Sequence, residues 1–135
     1  YRYSSFQKGA GIICGAVFCL KKEEGAKAIQ KKYIDYGKAT QPYSDLSIGC
    51  IFRNPEGGSA GALIEQVGLK NCFVGGATVS SIHANFIVNK GAAKAKDVVD
   101  LVEVIQEKVL KETGVFLQTE FCKIPFSLEE EENNV

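Results

Sequence analysis

The sequence predicts an α+β domain, a layered mixed sheet with helices packed on it. Three observations carry this. First, "AKAKDVVDLVEVIQEKVLKETG" (93–114) places Val98, Val102, Ile105 and Val109 at spacings of four, three and four, with Leu101 flanking them. That is the apolar stripe of an amphipathic helix whose charges face away. Second, "CFVGGATV" (72–79) and "ANFIVNKG" (84–91) are short and rich in β-branched and aromatic residues, and turn formers separate them. That is strand chemistry. Third, helical and strand-like segments alternate irregularly, which fits helices layered on a sheet.

The elements follow in order. "GIICGAVFCL" (11–20) is apolar and partly β-branched, so it predicts a buried strand. "KKEEGAKAIQKKYIDYG" (21–37) has helical composition, with Gly37 as its C-terminal stop. "KATQPYSDLSIG" (38–49) is polar, contains Pro42 and reads as a linker between two units. "CIFRNP" (50–55) reads as a short strand ending in a turn. "SAGALIEQVG" (59–68) is a short helix capped by Ser59 and ended by Gly68. The pair Gly75-Gly76 marks a bulge or a close backbone approach. Gly114 ends the long helix, and "VFLQTEFCKI" (115–124) reads as a last strand. "SLEEEENNV" is an acidic tail, expected to be disordered.

At 135 residues the chain has the length of about one domain. It contains no methionine, and Tyr1-Arg2-Tyr3 reads as the interior of something longer. The expected organisation is therefore the last strand and helix of a preceding domain (1–37), a second domain (38–124) and the tail (125–135). Sixteen basic and sixteen acidic residues cancel. That gives no electrostatic case for nucleic acid or an anionic membrane as partner. No apolar run is long enough to predict a membrane span. Five cysteines without a CxxC pair, together with one histidine, argue against a metal site. They fit free thiols in a reducing cytoplasm. Cys14, Cys19 and Cys122 sit in strand-like runs and read as small buried hydrophobes.

Four features invite a chemical reading. Cys50 is bounded by glycine and followed by Arg53-Asn54-Pro55. "GGATVSSIHANFIVN" gathers glycines, hydroxyls, His83 and Asn85 near strand ends. Glu120 places a charge in a half-apolar terminal segment, and Lys38 stands close to the linker. Each also has a bland reading: core thiol, structural histidine, solvent-facing carboxylate, solvated lysine. "GGSAG" lacks the spacing of a phosphate loop. Taken singly, none decides a function.

Taken in order, "SIGCIFRNP", "AGALIEQVGLK", "VGGATVSSIHANFIVN" and "AKDVVDLVEVIQEKVLKETGVFLQTEF" resemble the UDP-N-acetylenolpyruvoylglucosamine reductase (MurB) family of peptidoglycan synthesis. "YRYSSFQ" resembles that family's YRxSxF motif, and "KATQP" its basic residue before the linker proline. The likeness runs from Tyr1 to about Ile124. It implies the family's C-terminal substrate-binding domain joined to the tail end of a flavin-binding domain. The rest of the flavin domain, most FAD contacts and the catalytic arginine would lie upstream of Tyr1.

The resemblance implies reduction of UDP-N-acetylglucosamine enolpyruvate, with NADPH reducing FAD and the flavin giving hydride to carbon 3 of the enolpyruvyl group. The family's proton donor is a serine in G-S-x-F-[KR]-N-P, and here that position is Cys50. A thiol with an ordinary pKa near 8.5 is mostly protonated at neutral pH and suits a general acid. Glu120 takes the second acidic position of the family's L-E-P-E-V, written here L-Q-T-E-F. Tyr1, Lys38, Asn54 and His83 fall where the family binds the substrate diphosphate. Two other readings remain. One is a UDP-sugar-binding fragment without activity of its own. The other is a thiol enzyme using a Cys50–His83 dyad.

Overall fold

Short apolar runs broken by glycine turns build the sheet at the centre of the computed structural model, which describes residues 14–123. β1 is Leu46–Cys50, β2 Phe73–Val74, β3 Ala77–Val79 and β4 Phe86–Asn89. They lie in the order β1-β4-β3-β2. Every pairing is antiparallel, so the α+β class holds while the sheet is antiparallel rather than mixed. Antiparallel pairing follows from the short loops, since a parallel neighbour needs a long crossover.

"CFVGGATV" is two strands, not one. Gly75-Gly76 turns β2 into β3, with Phe73 opposite Thr78 and Val74 opposite Ala77. The expected close backbone approach is also present. A Cβ on Gly76 would meet Ala93 N and Gly91 O at 2.5 Å, and one on Gly75 would run into the Asp97 carboxylate. The glycines let the hairpin tip dock on the entry to the long helix.

That helix, α3, is Ala95–Thr113. Leu101, Val102, Ile105 and Val109 are buried, and Val98 packs beside them, partly buried. Each such aliphatic side chain contributes about 1.5–3 kcal/mol on full burial. Gly114 adopts φ 72° and donates to Leu110 O at 2.9 Å, ending the helix. α2, Ala60–Gln66, is capped by Ser59, whose hydroxyl accepts from Ala62 N at 3.3 Å. Ile51, Phe52, Ile64, Val79 and Leu117 complete the core.

Several expectations are corrected. Residues 14–20 of the expected strand belong to no strand, and Val17 is 98% exposed. Cys14 and Cys19 are exposed with them, and so is Cys122. An apolar run becomes a buried strand only where a neighbour covers it, and no described segment covers this one. The first helix, α1, runs Ala26–Thr40 and continues through Gly37. Gly37 is buried because Tyr43 folds back on it; a Cβ there would lie 3.0 Å from the Tyr43 hydroxyl. Lys38 is thus in the last turn of α1, and most of the expected linker is helix end or β1. The strand over 50–55 lies earlier, as β1. Residues 115–123 form no strand beyond a single bridge between Thr119 and Phe52. Tyr1 and the acidic tail lie outside the described residues. No described helix is long and apolar enough to cross a membrane.

Candidate active site

β1 delivers Cys50 to an open surface. Its register against β4 shifts between Ser47 and Cys50. Gly49, inside the shift, has φ 89° and nothing within 4 Å on its Cβ side. Only glycine adopts that backbone readily, and the surface beside Cys50 is left clear. Immediately after Cys50 the chain turns inward, and Ile51 and Phe52 are each 1% exposed. The exposed thiol therefore stands on an anchored backbone.

The same backbone recruits the C-terminal segment. Glu120 N donates to Ile51 O at 2.8 Å, and Arg53 N donates to Gln118 O at 2.8 Å. Leu117 is fully buried and its carbonyl accepts from Gln106 Nε2 at 2.8 Å, tying the segment to α3. These contacts bring Glu120 close to Cys50, so the two residues singled out for catalysis meet. Partial desolvation of the sulfur, within an otherwise exposed residue, pushes the Cys50 thiol above its ordinary value. The Glu120 carboxylate adds to this by opposing a second negative charge, while a hydrogen bond from Asn85 acts against it.

Asn85 sits beneath this pair, 3% exposed. Its Oδ1 accepts from Phe52 N at 3.0 Å, and its Nδ2 donates to Phe52 O at 2.8 Å. Its own carbonyl accepts from Ile51 N at 2.9 Å. Its backbone N–H donates to His83 Nδ1 at 3.2 Å. The sequence placed Asn85 in a polar cluster but gave it no role. A polar side chain between Ala84 and Phe86 in an apolar run was the available signal, because a buried amide needs partners.

His83 is half-buried, and its ring meets Phe86 edge-on at 5.0 Å. With Nδ1 accepting, Nε2 carries the proton and can donate. The ring lines a 190 Å³ cavity together with Ser59, Gly61 and Glu65. Asn54 Oδ1 accepts from Ala60 N at 3.0 Å, which fixes the start of α2 relative to the Cys50 loop. Lys38 is exposed on α1, and no described contact joins it to the Cys50 cluster. A larger cavity of 380 Å³ lies between β1, β4 and the start of α3. Its lining is mostly apolar, and neither Cys50 nor Glu120 contributes to it. The chemistry of the side chains, not cavity size, locates the site. Among the described residues no group of three or more His, Cys, Asp or Glu could hold a metal ion.

Comparison with known proteins identifies relatives of the chain. Residues 41–124 match the family described as "UDP-N-acetylenolpyruvoylglucosamine reductase, C-terminal domain". A UDP-N-acetylenolpyruvoylglucosamine reductase of Protochlamydia amoebophila is 50% identical over 128 residues, covering 95% of this chain and 43% of that protein. One from Chlamydia muridarum is 49% identical over 126 residues, covering 93% and 42%. The chain thus spans less than half the length of these relatives. The crystal structure of UDP-N-acetylenolpyruvylglucosamine reductase (MurB) from Thermus caldophilus superposes with a TM-score of 0.65 at 40% identity, covering 78% of this chain and 37% of that one. The family match over residues 41–124, more than half of the chain, shows that the chain belongs to the UDP-N-acetylenolpyruvoylglucosamine reductase family, through its C-terminal domain.

Proposed function

We propose that this chain is the substrate-binding part of a reductase that converts UDP-N-acetylglucosamine enolpyruvate to UDP-N-acetylmuramate, in cytoplasmic synthesis of peptidoglycan precursors. In the full-length protein, bound FAD, reduced by NADPH, supplies the hydride that adds to carbon 3 of the enolpyruvyl group. The nucleotide part of FAD would be held by the flavin-binding domain. What the described residues offer the flavin is the clear surface at Gly49 and Cys50. Residues 1–37 would belong to the flavin-binding domain, and that domain would cover the apolar stretch 14–20.

The chain's own task is protonation. Hydride addition leaves negative charge at carbon 2. Cys50 gives up its S–H proton there, a C–H bond forms, and sulfur keeps the electron pair. A general acid must still hold its proton at working pH. Burial and Glu120 both favour the protonated thiol, and this supports the role. Glu120 would also stand beside the enolate, with a cation paired to its carboxylate. His83 Nε2–H, Asn54, Lys38 and Tyr1 would bind the diphosphate, through charge-assisted hydrogen bonds at the first three.

The observation that carries the reading is the meeting of Cys50 and Glu120 on a loop clamped by Asn85. A Cys50–His83 dyad has less support, because the groups acting on the thiol are Glu120 and Asn85. The test is NADPH oxidation by the full-length protein with UDP-N-acetylglucosamine enolpyruvate as acceptor. Product formation is expected, and a protein that holds FAD yet never reduces this substrate overturns the proposal.

A further inference from the structure

One buried side chain touches both ends of the candidate site. Asn85 reaches the thiol and the Phe52 peptide through its amide, and the His83 ring through its backbone N–H. The two contacts differ in kind. The first depends on which side chain stands at 85, and the second does not.

We propose that Asn85 is the positioning residue of this site, fixing Cys50 through its side-chain amide and the His83 tautomer through its main chain. The inference rests on the reading of Cys50 as proton donor and His83 as diphosphate ligand, and it adds a residue that joins them. The amide works in two ways. Its paired bonds to the N–H and C=O of Phe52 stop the backbone after Cys50 from rotating. Nδ2 carries two protons; one goes to Phe52 O, and the other is available to sulfur. When Cys50 gives up its proton, that second N–H meets the new thiolate. The nearby Glu120 does the reverse, holding the proton on sulfur beforehand. The acid is thus kept protonated by one neighbour, and its conjugate base is received by another.

Asn85→Asp tests this in the full-length enzyme. The shape is kept and Phe52 N keeps its acceptor, but both donors are lost. Three readouts are compared with the parent. Alkylation of Cys50 by iodoacetamide, followed by peptide mass spectrometry across pH, should shift to higher pH, with neutral-pH labelling reduced roughly three- to tenfold. Turnover should fall by a similar or larger factor. KM for the UDP-sugar should change less than twofold, because His83 still receives its N–H from the main chain. Unchanged Cys50 labelling in a folded variant overturns the proposal. So does an equal loss in KM and turnover with a normal labelling profile, the pattern of a merely structural residue. The unsubstituted protein gives an independent arm: by NMR, the Asn85 side-chain amide should titrate together with the Cys50 thiol. A flat amide response overturns the proposal even where the variant fails to fold. The labelling and NMR arms do not require reductase activity, so failure of the functional reading is distinguishable from failure of the role assigned to Asn85.

Discussion

The carboxylate of Asp97 accepts a hydrogen bond from the backbone N–H of Gly76 at 3.2 Å while also accepting from Lys94 N at 3.0 Å. One oxygen therefore serves the helix entry and the hairpin tip. The Lys94 and Gly76 N–H groups hold the Asp97 carboxyl below its ordinary value of 3.8. A lowered pKa contributes stability above the ordinary value, and the contribution fades as pH falls through the lowered one. Asp97→Ala should be less stable than the parent at neutral pH, and the gap should narrow on acidification. Gly76→Ala forces main chain apart and should cost about 1–3 kcal/mol. Urea unfolding at several pH values checks both, and an equal gap at every pH would remove Asp97 as the tether.

How much of this was legible follows from what each signal depends on. α3 and α2 were readable because an apolar stripe and a Ser59 cap are local facts. The fate of 14–20 was not, because an apolar run records only that a partner is wanted. Gly37 looked like a stop, yet glycine ends a helix by turning left-handed, and here it stays helical to admit Tyr43. The segment after Gly114 had the composition of a strand but is held by two backbone bonds and Leu117. Cys50 and Glu120 were found through family motifs, and their proximity is a property of the fold. Asn85 was noticed in a polar cluster but given no role, because the Phe52 peptide it bonds is 33 residues away in sequence.

Lys38 should act in binding rather than chemistry. It is exposed in the last turn of α1, where its ammonium can reach an anionic ligand. Lys38→Ala in the full-length enzyme should weaken UDP-sugar binding by about 1.5–3 kcal/mol, the range for charged hydrogen bonds, and alter turnover at saturation little. Calorimetric titration with the substrate decides this, and an unchanged affinity rejects the assignment.

Glu120 should set the alkaline limit of activity through Cys50. In the proposed mechanism the protonated thiol is the active form, so turnover should stay level through neutrality and fall as pH rises through the raised thiol pKa. Glu120→Gln removes the charge that opposes the thiolate. The alkaline limb should then move to lower pH, and Cys50 should alkylate faster at neutral pH. If neither profile moves, the carboxylate is not acting on the thiol.

Cys50 itself gives the strictest test. In the proposed cycle, reduction of the flavin by NADPH precedes any need for its proton, whereas reduction of the enolpyruvyl group requires it. Cys50→Ala should therefore leave the first half-reaction nearly intact and slow the second by about 10²–10⁴-fold, the usual cost of losing a positioned general acid. Cys50→Ser places the serine that the motif resemblance implies at this position, keeps one transferable proton and is close in size. It should retain substantial turnover, with its alkaline limb displaced upward because a hydroxyl ionises far less readily than a thiol. A packing role predicts something else: Cys50 is exposed, so Ala and Ser would both be near neutral and indistinguishable. Stopped-flow flavin absorbance in each half-reaction separates the two accounts, and near-parental turnover in the Ala variant would remove Cys50 as the proton donor.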